Sequence, residues 1–314
     1  MAEEIAPREV YGKTLVELGR ENRDIVVLDA DLPPSTMTKY FGQEFPERFF
    51  NVGIAEQNMI GIASGLAASG KIPFASTFAV FAPGRCFDQI RVSIAQARLN
   101  VKIVVTHAGV TVGEDGASHQ ALEDLSLICS LPGFTVIVPA DAIETARVIR
   151  TVAAHQGPCY VRLCRPKLPL VYDDTYRFQL GKAVEMRPGK DVTVIAIGVM
   201  VAQALEAAEA LAKEGIDCRV LNMPTLKPID EDTIVNAARE TGAIVTAEEH
   251  LENGGLGSIV ARVVARNHPA PLDFIAIKDT YASSGKPAEL LERYGLTARD
   301  IEKAVRAVIK RKPK

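Results

Sequence analysis

Short runs of β-branched and other apolar residues alternate with longer amphipathic stretches along the first half of the chain. The short runs show no alternation of polar and apolar positions, which is typical of parallel strands covered on both faces. From these runs we predict strands at 25–28, 101–105, 135–138 and 160–163. From the amphipathic stretches we predict helices near 8–20, 56–69 and 141–153, the last with Asp141 as its N-cap.

The pattern lapses between residues 165 and 190, where Pro166, Pro169 and Pro188 indicate a linker. The alternation then resumes in the second half. There we predict strands at 192–197, 218–221, 243–246 and 272–277, and helices at 201–213, 231–239, 256–266 and from Thr297 onward, with Thr297 as the N-cap of the last helix. The chain is therefore predicted to be an α/β protein of two domains, 1–170 and 191–314, joined by a linker at 171–190. Each domain is expected to be a mainly parallel sheet flanked by helices.

Composition and charge exclude several classes of protein. Of the 314 residues, 47% are hydrophobic and 24% are charged, which argues against a disordered chain, a collagen or a long coiled coil. The formal net charge is -3, so the chain has no basic excess with which to follow a phosphate backbone. We therefore expect no nucleic-acid partner.

The cysteines and the N-terminus favour a cytoplasmic protein. The chain has five cysteines, and no two of them have the C-x-x-C spacing of a zinc or redox site, so we expect reduced thiols. The first residues are acidic and carry no apolar run, which argues against a signal peptide. The uncharged stretches fall short of the ~20 apolar residues that span a bilayer, so we expect no membrane partner.

Three segments carry more polar or glycine residues than a scaffold needs. The first, 29–35, follows a predicted strand and contains Asp31 and Ser35. Loops at the carboxyl ends of parallel strands are where α/β proteins bind ligands. The alternative is that Ser35 or Thr36 only caps a helix.

The second segment, 51–59, places Glu56 among small and apolar residues at a predicted helix start. Two interpretations are open. In one, the carboxylate is simply favoured by the positive N-terminal end of the helix dipole. In the other, a buried carboxyl group holds a proton at neutral pH and takes part in catalysis.

The third segment, 106–119, holds two of the five histidines, His107 and His119, together with Asp115, a second acid and three glycines. Glycine lets the backbone approach a ligand closely, and histidine and carboxylate side chains transfer protons and bind hydroxyl groups. This density after a predicted strand favours a functional site. A metal site is the weaker alternative, because the spacing matches no ligand motif.

Two further features could belong to the same site. Arg165 follows a predicted strand, where its guanidinium could hold a phosphate or form a surface ion pair. Phe78 and Phe81 follow a short strand, where they either pack in the core or form a wall for a flat ring.

The segments 53–59, 76–91 and 106–119 together resemble transketolase, in order along the chain, and Arg8, Ser35 and Arg165 lie at matching offsets. The resemblance covers essentially the whole chain but only the C-terminal part of a full-length transketolase. It implies the pyrimidine-binding domain and the C-terminal domain of that family. The Gly-Asp-Gly motif and later Asn that hold diphosphate and a divalent metal in the family have no counterpart in this sequence.

The resemblance therefore implies a split transketolase with thiamine diphosphate as its cofactor. A partner chain, the N-terminal transketolase subunit, would supply the diphosphate-binding domain and hold Mg²⁺ or another divalent cation, so no metal ligands are expected here. Since the sites of the family form at subunit interfaces, two copies of each chain would make a heterotetramer. The implied reaction, a step of the pentose phosphate pathway, moves a two-carbon ketol unit from a ketose phosphate such as xylulose 5-phosphate to an aldose phosphate such as ribose 5-phosphate.

The resemblance also implies roles around the cofactor. Glu56 matches the catalytic glutamate that shares a proton with the aminopyrimidine ring. Phe78 and Phe81 match two aromatics of the pyrimidine pocket, whereas a third aromatic of some relatives is Gly84 here. Asp31 matches a residue near the cofactor.

The implied substrate residues come from the third segment and from three separate positions. His107 and His119 match histidines that contact donor hydroxyls or substrate phosphate and take part in catalysis. Asp115 matches an acid that binds a sugar hydroxyl. The residues that match phosphate-binding positions are Arg8, Ser35 and Arg165.

Three alternatives compete with this hypothesis. The β subunit of a 2-oxo-acid dehydrogenase has the same domain pair and the same glutamate, and a deoxyxylulose phosphate synthase-like half also handles phosphorylated sugars. The segment 113–119 with Arg165 favours a sugar phosphate over a 2-oxo acid. The third alternative is a catalytically silent scaffold. A silent copy has no physical reason to keep buried polar groups, which cost ~1–3 kcal/mol each when unpaired.

Overall fold

The computed structural model of the protein describes residues 3–312. These residues form two α/β domains, each built on a mainly parallel sheet with helices on its faces. The predicted fold class is therefore confirmed. The predicted N-caps Asp141 and Thr297 are also confirmed, since each immediately precedes a helix.

The elements of the first domain follow the predicted alternation of strand and helix. Its strands are β1 (Glu4–Ile5), β2 (Ile25–Asp29), β3 (Phe49–Asn51), β4 (Ile72–Phe78), β5 (Lys102–Thr106), β6 (Thr135–Ile137), β7 (Cys159–Arg162) and β8 (Leu168–Pro169). Its α-helices are α1 (Pro7–Glu21), α2 (Pro33–Thr36), α3 (Lys39–Glu44), α4 (Glu56–Ala68), α5 (Phe81–Gln89), α6 (Asp124–Cys129) and α7 (Ala142–Ala154). A π-helical stretch, Ile90–Gln96, continues α5, and 3₁₀ turns lie at Pro46–Arg48 and Val110–Asp115.

The second domain repeats the alternation on a smaller sheet. Its strands are β9 (Val184–Arg187), β10 (Val192–Ala196), β11 (Cys218–Asn222), β12 (Thr225–Lys227), β13 (Ile244–Leu251) and β14 (Leu272–Ile277). Its helices are α8 (Met200–Ala212), α9 (Glu231–Thr241), α10 (Leu256–Asn267), α11 (Pro287–Arg293) and α12 (Ala298–Ile309).

Two large sheets form the domains, and β1 and β8 make a separate antiparallel pair. The first has the order β12-β6-β7-β5-β4-β2-β3, and all of its neighbours are parallel except β12 and β6. The second has the order β14-β13-β10-β11-β9, and only β9 runs antiparallel. The strands β2, β5 and β10 are buried along their whole length, as their largely apolar runs predict.

The structure differs from the expected linker at 171–190. The last part of this segment is β9, which pairs antiparallel with β11 at the edge of the second sheet. Most of its residues are partly exposed, so no buried apolar run marks it in the sequence. An edge strand of this kind gains its stability from pairing on one side, which a periodicity pattern does not reveal.

The two domains share a strand and a core. Strand β12 belongs to the second domain in sequence, yet it pairs with β6 of the first sheet. One apolar cluster includes Val136 and Val138 of the first domain with Ile195 and Met223 of the second. The junction is therefore a packed interface.

Asp141 joins this junction to α7. Its Oδ1 accepts a hydrogen bond from the Glu144 amide at 2.8 Å, and its Oδ2 accepts from the amides of Val171 and Tyr172 at 2.9 and 3.0 Å. The side chain is buried. It thus caps a helix and also anchors the segment that leads into the second domain.

We expect Asp141→Ala to lower the free energy of unfolding by about 2–4 kcal/mol, because it removes a helix cap and leaves the part-buried amides of Val171 and Tyr172 unpaired. Urea unfolding followed by circular dichroism measures this. Asp173→Ala is the matched control. Among the residues that the structure describes, its carboxylate accepts only from Thr175, in an exposed turn, and we expect little change. Equal effects of the two substitutions would contradict the anchoring role of Asp141.

Candidate active site

The predicted site residues meet at one edge of the first sheet. Strands β2, β4, β5 and β7 are parallel, so their carboxyl ends open on the same side. The segments that follow these four strands contain Asp31, Phe81, His107 and Arg165. This is the edge where an open parallel sheet places its ligand site.

Glu56 is the first residue of α4 and is 5% exposed. Its Oε1 accepts a hydrogen bond from Arg85 Nη1 at 2.5 Å. Among residues 3–312, no hydrogen bond reaches its Oε2. A buried carboxylate is therefore held at one oxygen and left free at the other.

Arg85 is a site residue that the sequence analysis missed. Its guanidinium carbon lies 3.9 Å from the centroid of the Phe81 ring, so it contacts an aromatic ring and Glu56 together. Arg85 lies four residues after Phe81 on α5, a spacing that brings helical side chains together. In the sequence, the four-residue spacing of Phe81 and Arg85 was the signal that could have indicated this contact. The Arg85 side chain is 47% exposed, so it reaches the site from the solvent side.

Two phenylalanines and two histidines form one aromatic cluster. The Phe78 and Phe81 rings are nearly parallel, with centroids 5.8 Å apart and an interplanar angle of 16°. His107 stacks on Phe78 at 3.8 Å. His119 meets Phe78 and Phe81 edge-on, at 6.2 and 5.4 Å. The structure thus unites side chains from β4, α5 and the segment after β5.

His107 is buried and has a left-handed backbone conformation, with φ 57°. Its Nδ1 lies 2.8 Å from Thr106 Oγ1. Burial, followed by the positive charges of Arg8 and Arg165, lowers the pKa of His107 to about 3. The imidazole is therefore neutral at physiological pH, and it can exchange hydrogen bonds with a hydroxyl group without carrying a charge.

Arg8 and Arg165 bring two positive charges to the same region. Arg8 Nη1 donates to the backbone carbonyl of Ser35 at 2.9 Å, so the Ser35 contact is through its backbone. Burial lowers the pKa of Arg8, and Arg165 lowers it further. The Arg8 Nε is buried and has no hydrogen-bond partner within the described residues. Such a pair of guanidinium groups suits an anion.

Arg165 is held by the segment after β5. Its Nη1 donates to the backbone carbonyl of Val112, and it lies 3.3 Å from Glu114 Oε2 and 4.0 Å from Asp115 Oδ2. Asp115 is exposed. The structure therefore joins Arg165 and Asp115 in one ion-pair group at the rim of the site.

The segment after β2 is organised by Asp29, which the sequence analysis did not single out. Its buried carboxylate accepts from the Leu32 amide and from the hydroxyls of Thr36 and Thr38, at 2.6, 2.6 and 2.8 Å. Burial raises its pKa to about 6, and these bonds oppose the rise. The expectation that Ser35 or Thr36 caps a helix is wrong, because both lie inside α2.

Asp31 stands at the rim of the same segment. It is exposed, has φ 66°, and its amide donates to Asn51 Oδ1 at 3.0 Å. A left-handed backbone is energetically costly for a residue with a side chain, so contacts such as the Asn51 hydrogen bond must hold this segment in that conformation.

Within residues 3–312, no group of three or more His, Cys, Asp or Glu side chains is arranged to hold a metal ion. In the same range, no helix is both long enough and apolar enough to cross a membrane.

Two sequence families match the chain. The family described as transketolase, pyrimidine binding domain, matches residues 3–171, and the family described as transketolase, C-terminal domain, matches residues 181–301.

Similar proteins and solved structures match nearly the whole chain. A putative transketolase C-terminal section from Methanocaldococcus jannaschii is 48% identical over 307 residues, which cover 97% of this chain and 96% of the relative. A 6-deoxy-6-sulfo-D-fructose transketolase subunit from Clostridium sp. is 43% identical, and the match covers 97% and 95%. A solved structure described as split gene transketolase, inactive beta4 tetramer, is 54% identical with a TM-score of 0.92, and the match covers 98% of this chain and 100% of that one. Human transketolase is 41% identical, but the chain spans only 50% of it.

We expect the His107 imidazole to stay neutral down to about pH 4, because burial and two cations disfavour its charged form. The contribution of His107 to the free energy of unfolding is therefore complete above its pKa of 6.5 in the unfolded chain. It is lost as the pH falls toward its pKa of about 3 in the folded protein. Side-chain nitrogen shifts in heteronuclear NMR measure its titration. Arg165→Ala should raise the pKa of His107, because it removes one of the two cations. A His107 imidazole that titrates at about pH 6–7 in the wild-type protein would contradict the expectation.

Proposed function

The chain belongs to the transketolase family, and we propose that it is the C-terminal subunit of a split thiamine diphosphate-dependent transketolase. The proposed reaction transfers a two-carbon ketol unit from a ketose phosphate, such as xylulose 5-phosphate, to an aldose phosphate, such as ribose 5-phosphate. The observation that carries the proposal is the buried carboxylate of Glu56, linked through Arg85 to the Phe78–Phe81 pair at the ligand edge of the sheet.

The residues present fit the pyrimidine half of thiamine diphosphate. An aminopyrimidine is a flat ring with a basic nitrogen, and it needs an aromatic wall and a carboxyl group at its edge. Phe78 and Phe81 offer nearly parallel rings, and Glu56 offers an oxygen without a partner among residues 3–312. The chemistry that this cofactor supplies when bound is cleavage and formation of the carbon–carbon bond beside a ketose carbonyl.

The proposed work of this chain is to hold and move protons and to orient the sugar. Glu56 would share a proton with the ring nitrogen at its free Oε2. Arg85 now contacts both Glu56 and Phe81, so cofactor binding has to displace it or share Glu56 with it. Neutral His107, with His119 beside it, would exchange hydrogen bonds with donor hydroxyls. Asp31 would lie near the cofactor at the rim.

The far end of the proposed substrate is a phosphate. Arg8 and Arg165 bring two cations together, and the buried Nε–H of Arg8 has no acceptor among residues 3–312. Ser35 would contribute through the backbone that Arg8 already contacts. Asp115, beside Arg165, would accept a hydrogen bond from a sugar hydroxyl.

The proposed partner is an N-terminal transketolase subunit that carries the diphosphate-binding domain and holds Mg²⁺ or another divalent cation. Two features near Glu56 suit a subunit contact. Ile54 is 78% exposed two residues before Glu56, and the space beside Gly61, Gly65 and Gly84 is open. Two copies of each chain would complete the assembly. The related split-gene structure is described as inactive in its beta4 form.

A second candidate substrate is a sulfonated ketose. The Clostridium relative is named for 6-deoxy-6-sulfo-D-fructose, and it matches nearly the whole chain. Sulfonate and phosphate are both tetrahedral oxyanions that paired guanidinium groups can hold. Rates measured side by side with fructose 6-phosphate and with 6-deoxy-6-sulfofructose decide between the two donor classes.

We expect thiamine diphosphate with magnesium to bind only when the partner subunit is present, because this chain provides the pyrimidine half of the site. Calorimetric titration into the chain alone, and into the complex with a co-purified partner, measures this. Tight binding by the chain alone would place a diphosphate site on it and overturn the split-site proposal. Binding by neither sample would favour a silent scaffold.

We expect Glu56→Gln to lower kcat for ketol transfer by about 10²–10⁴-fold in the reconstituted complex, since an amide cannot relay a proton. The fold should be unchanged by circular dichroism. Arg85→Gln is the control, because it breaks the same ion pair but keeps the carboxylate. An equal loss in both variants would assign the effect to the ion pair, and near-normal turnover of Glu56→Gln would exclude the proton relay.

A further inference from the structure

A carboxylate of the second domain reaches under the segment that carries His107 and Asp115. Glu249, near the end of β13, is buried, and its Oε1 accepts from the Thr111 amide at 2.5 Å. Its Oε2 accepts from Thr111 Oγ1 at 3.1 Å. Burial raises the pKa of Glu249 to about 7, while Arg162 and the Thr111 bonds oppose the rise. One side chain thus makes two hydrogen bonds across the domain junction.

The segment 107–116 approaches Glu249 so closely that only glycine fits at position 109. A Cβ on Gly109 would lie 2.1 Å from the carboxyl carbon of Glu249, and the backbone there has φ 77°. His107 also has a left-handed backbone. Because this shape is unfavourable for a residue with a side chain, contacts from outside the segment must hold it.

Other contacts from the second domain reach the same segment. A Cβ on Gly116 would lie 2.4 Å from Ser284 Oγ, so these two segments of the chain are in close contact. Gln120 Nε2 donates to the carbonyls of Val110 and Ser283, at 3.3 and 3.1 Å. The segment is therefore packed against the second domain along its length, and Glu249 supplies the charged contact.

The preceding residue, Glu248, provides an internal comparison. It is equally buried on the same strand, and burial raises its pKa to about 7 as well. Its carboxylate accepts from the amides of Leu256 and Gly257, each at 2.8 Å, at the start of α10 in its own domain. Two adjacent buried carboxylates thus bind backbone amides on opposite sides of the junction.

We propose that Glu249 is a positioning residue of the active site, through which the second domain holds the segment 107–116 in the shape that presents His107 and Asp115 to the sugar. The part of this proposal that concerns the sugar rests on the proposed function. The part that concerns the segment does not, since it rests on the contacts of Glu249 alone. The second domain is then a component of the substrate site.

Hydrogen exchange of the full chain, followed by mass spectrometry, tests the anchoring. We expect Glu249→Ala to raise exchange of amides 109–116 by about tenfold or more, because it frees the Thr111 amide. Glu248→Ala should raise exchange at the start of α10 and leave 109–116 unchanged. Glu249→Gln keeps an acceptor for the Thr111 amide, so exchange should stay near the wild-type level. Unchanged exchange at 109–116 in Glu249→Ala would overturn the proposal.

Kinetics of the reconstituted complex test the effect on substrate. We expect Glu249→Ala to raise KM for xylulose 5-phosphate by about tenfold with a smaller effect on kcat, and Glu249→Gln to restore most of the loss. An unchanged KM in Glu249→Ala would overturn the substrate role. If the wild-type complex has no ketol-transfer activity, the proposed function fails and the substrate role fails with it, while the exchange result still decides the anchoring.

A second variant, Thr111→Val, tests the anchoring even if Glu249→Ala does not fold. Thr111→Val removes the 3.1 Å hydroxyl bond with little change of side-chain shape and keeps the amide bond. We expect it to raise exchange of 109–116 by a smaller factor than Glu249→Ala. No increase in exchange of 109–116 in Thr111→Val would overturn the anchoring role.

Discussion

The arrangement of the two domains depends on the hydrogen bonds and the ion pair of the buried Arg162 guanidinium. Arg162 is 5% exposed at the end of β7, and its Nε donates to Asp124, itself 1% exposed, at 2.9 Å. Its Nη2 donates to the carbonyls of Ala121 in the first domain and Glu249 in the second, at 3.0 and 3.1 Å. A charge taken out of water is tolerated only when it is paired and hydrogen-bonded. Strand β7, helix α6 and strand β13 are therefore fixed relative to one another.

The shape of the active-site segment follows from this arrangement. The Ala121 carbonyl that accepts from Arg162 also accepts from the Gly109 amide at 3.0 Å. The backbone of Glu249 contacts Arg162, and its carboxylate contacts Thr111. One side of the segment is thus tied to the first domain and the other to the second. This explains how a left-handed backbone at buried His107 is maintained beside an aromatic cluster.

The same arrangement leaves one side of the candidate site open. The aromatic rings, Glu56 and the guanidinium groups lie at one sheet edge, whereas Ile54 and the open space beside Gly84 lie next to them without cover in residues 3–312. Under the proposed function, this chain would supply the aromatic wall for the pyrimidine, and a partner chain would supply the polar groups for the diphosphate and its metal. The second domain would then contribute to the site by holding its substrate segment.

The sequence by itself determined the α/β class, most of the strands and helices, the caps at Asp141 and Thr297, and the segments that converge on the site. Those features depend on local periodicity, capping and the rule that parallel strands end on one edge. It did not predict β9, β12, Arg85 as the partner of Glu56, or Glu249 as the support of Thr111. Edge pairing leaves no periodic signal, and Glu249 lies 138 residues from the amide that it binds. Contacts between residues so far apart exist only after both sheets have packed, so the tertiary structure alone decided them.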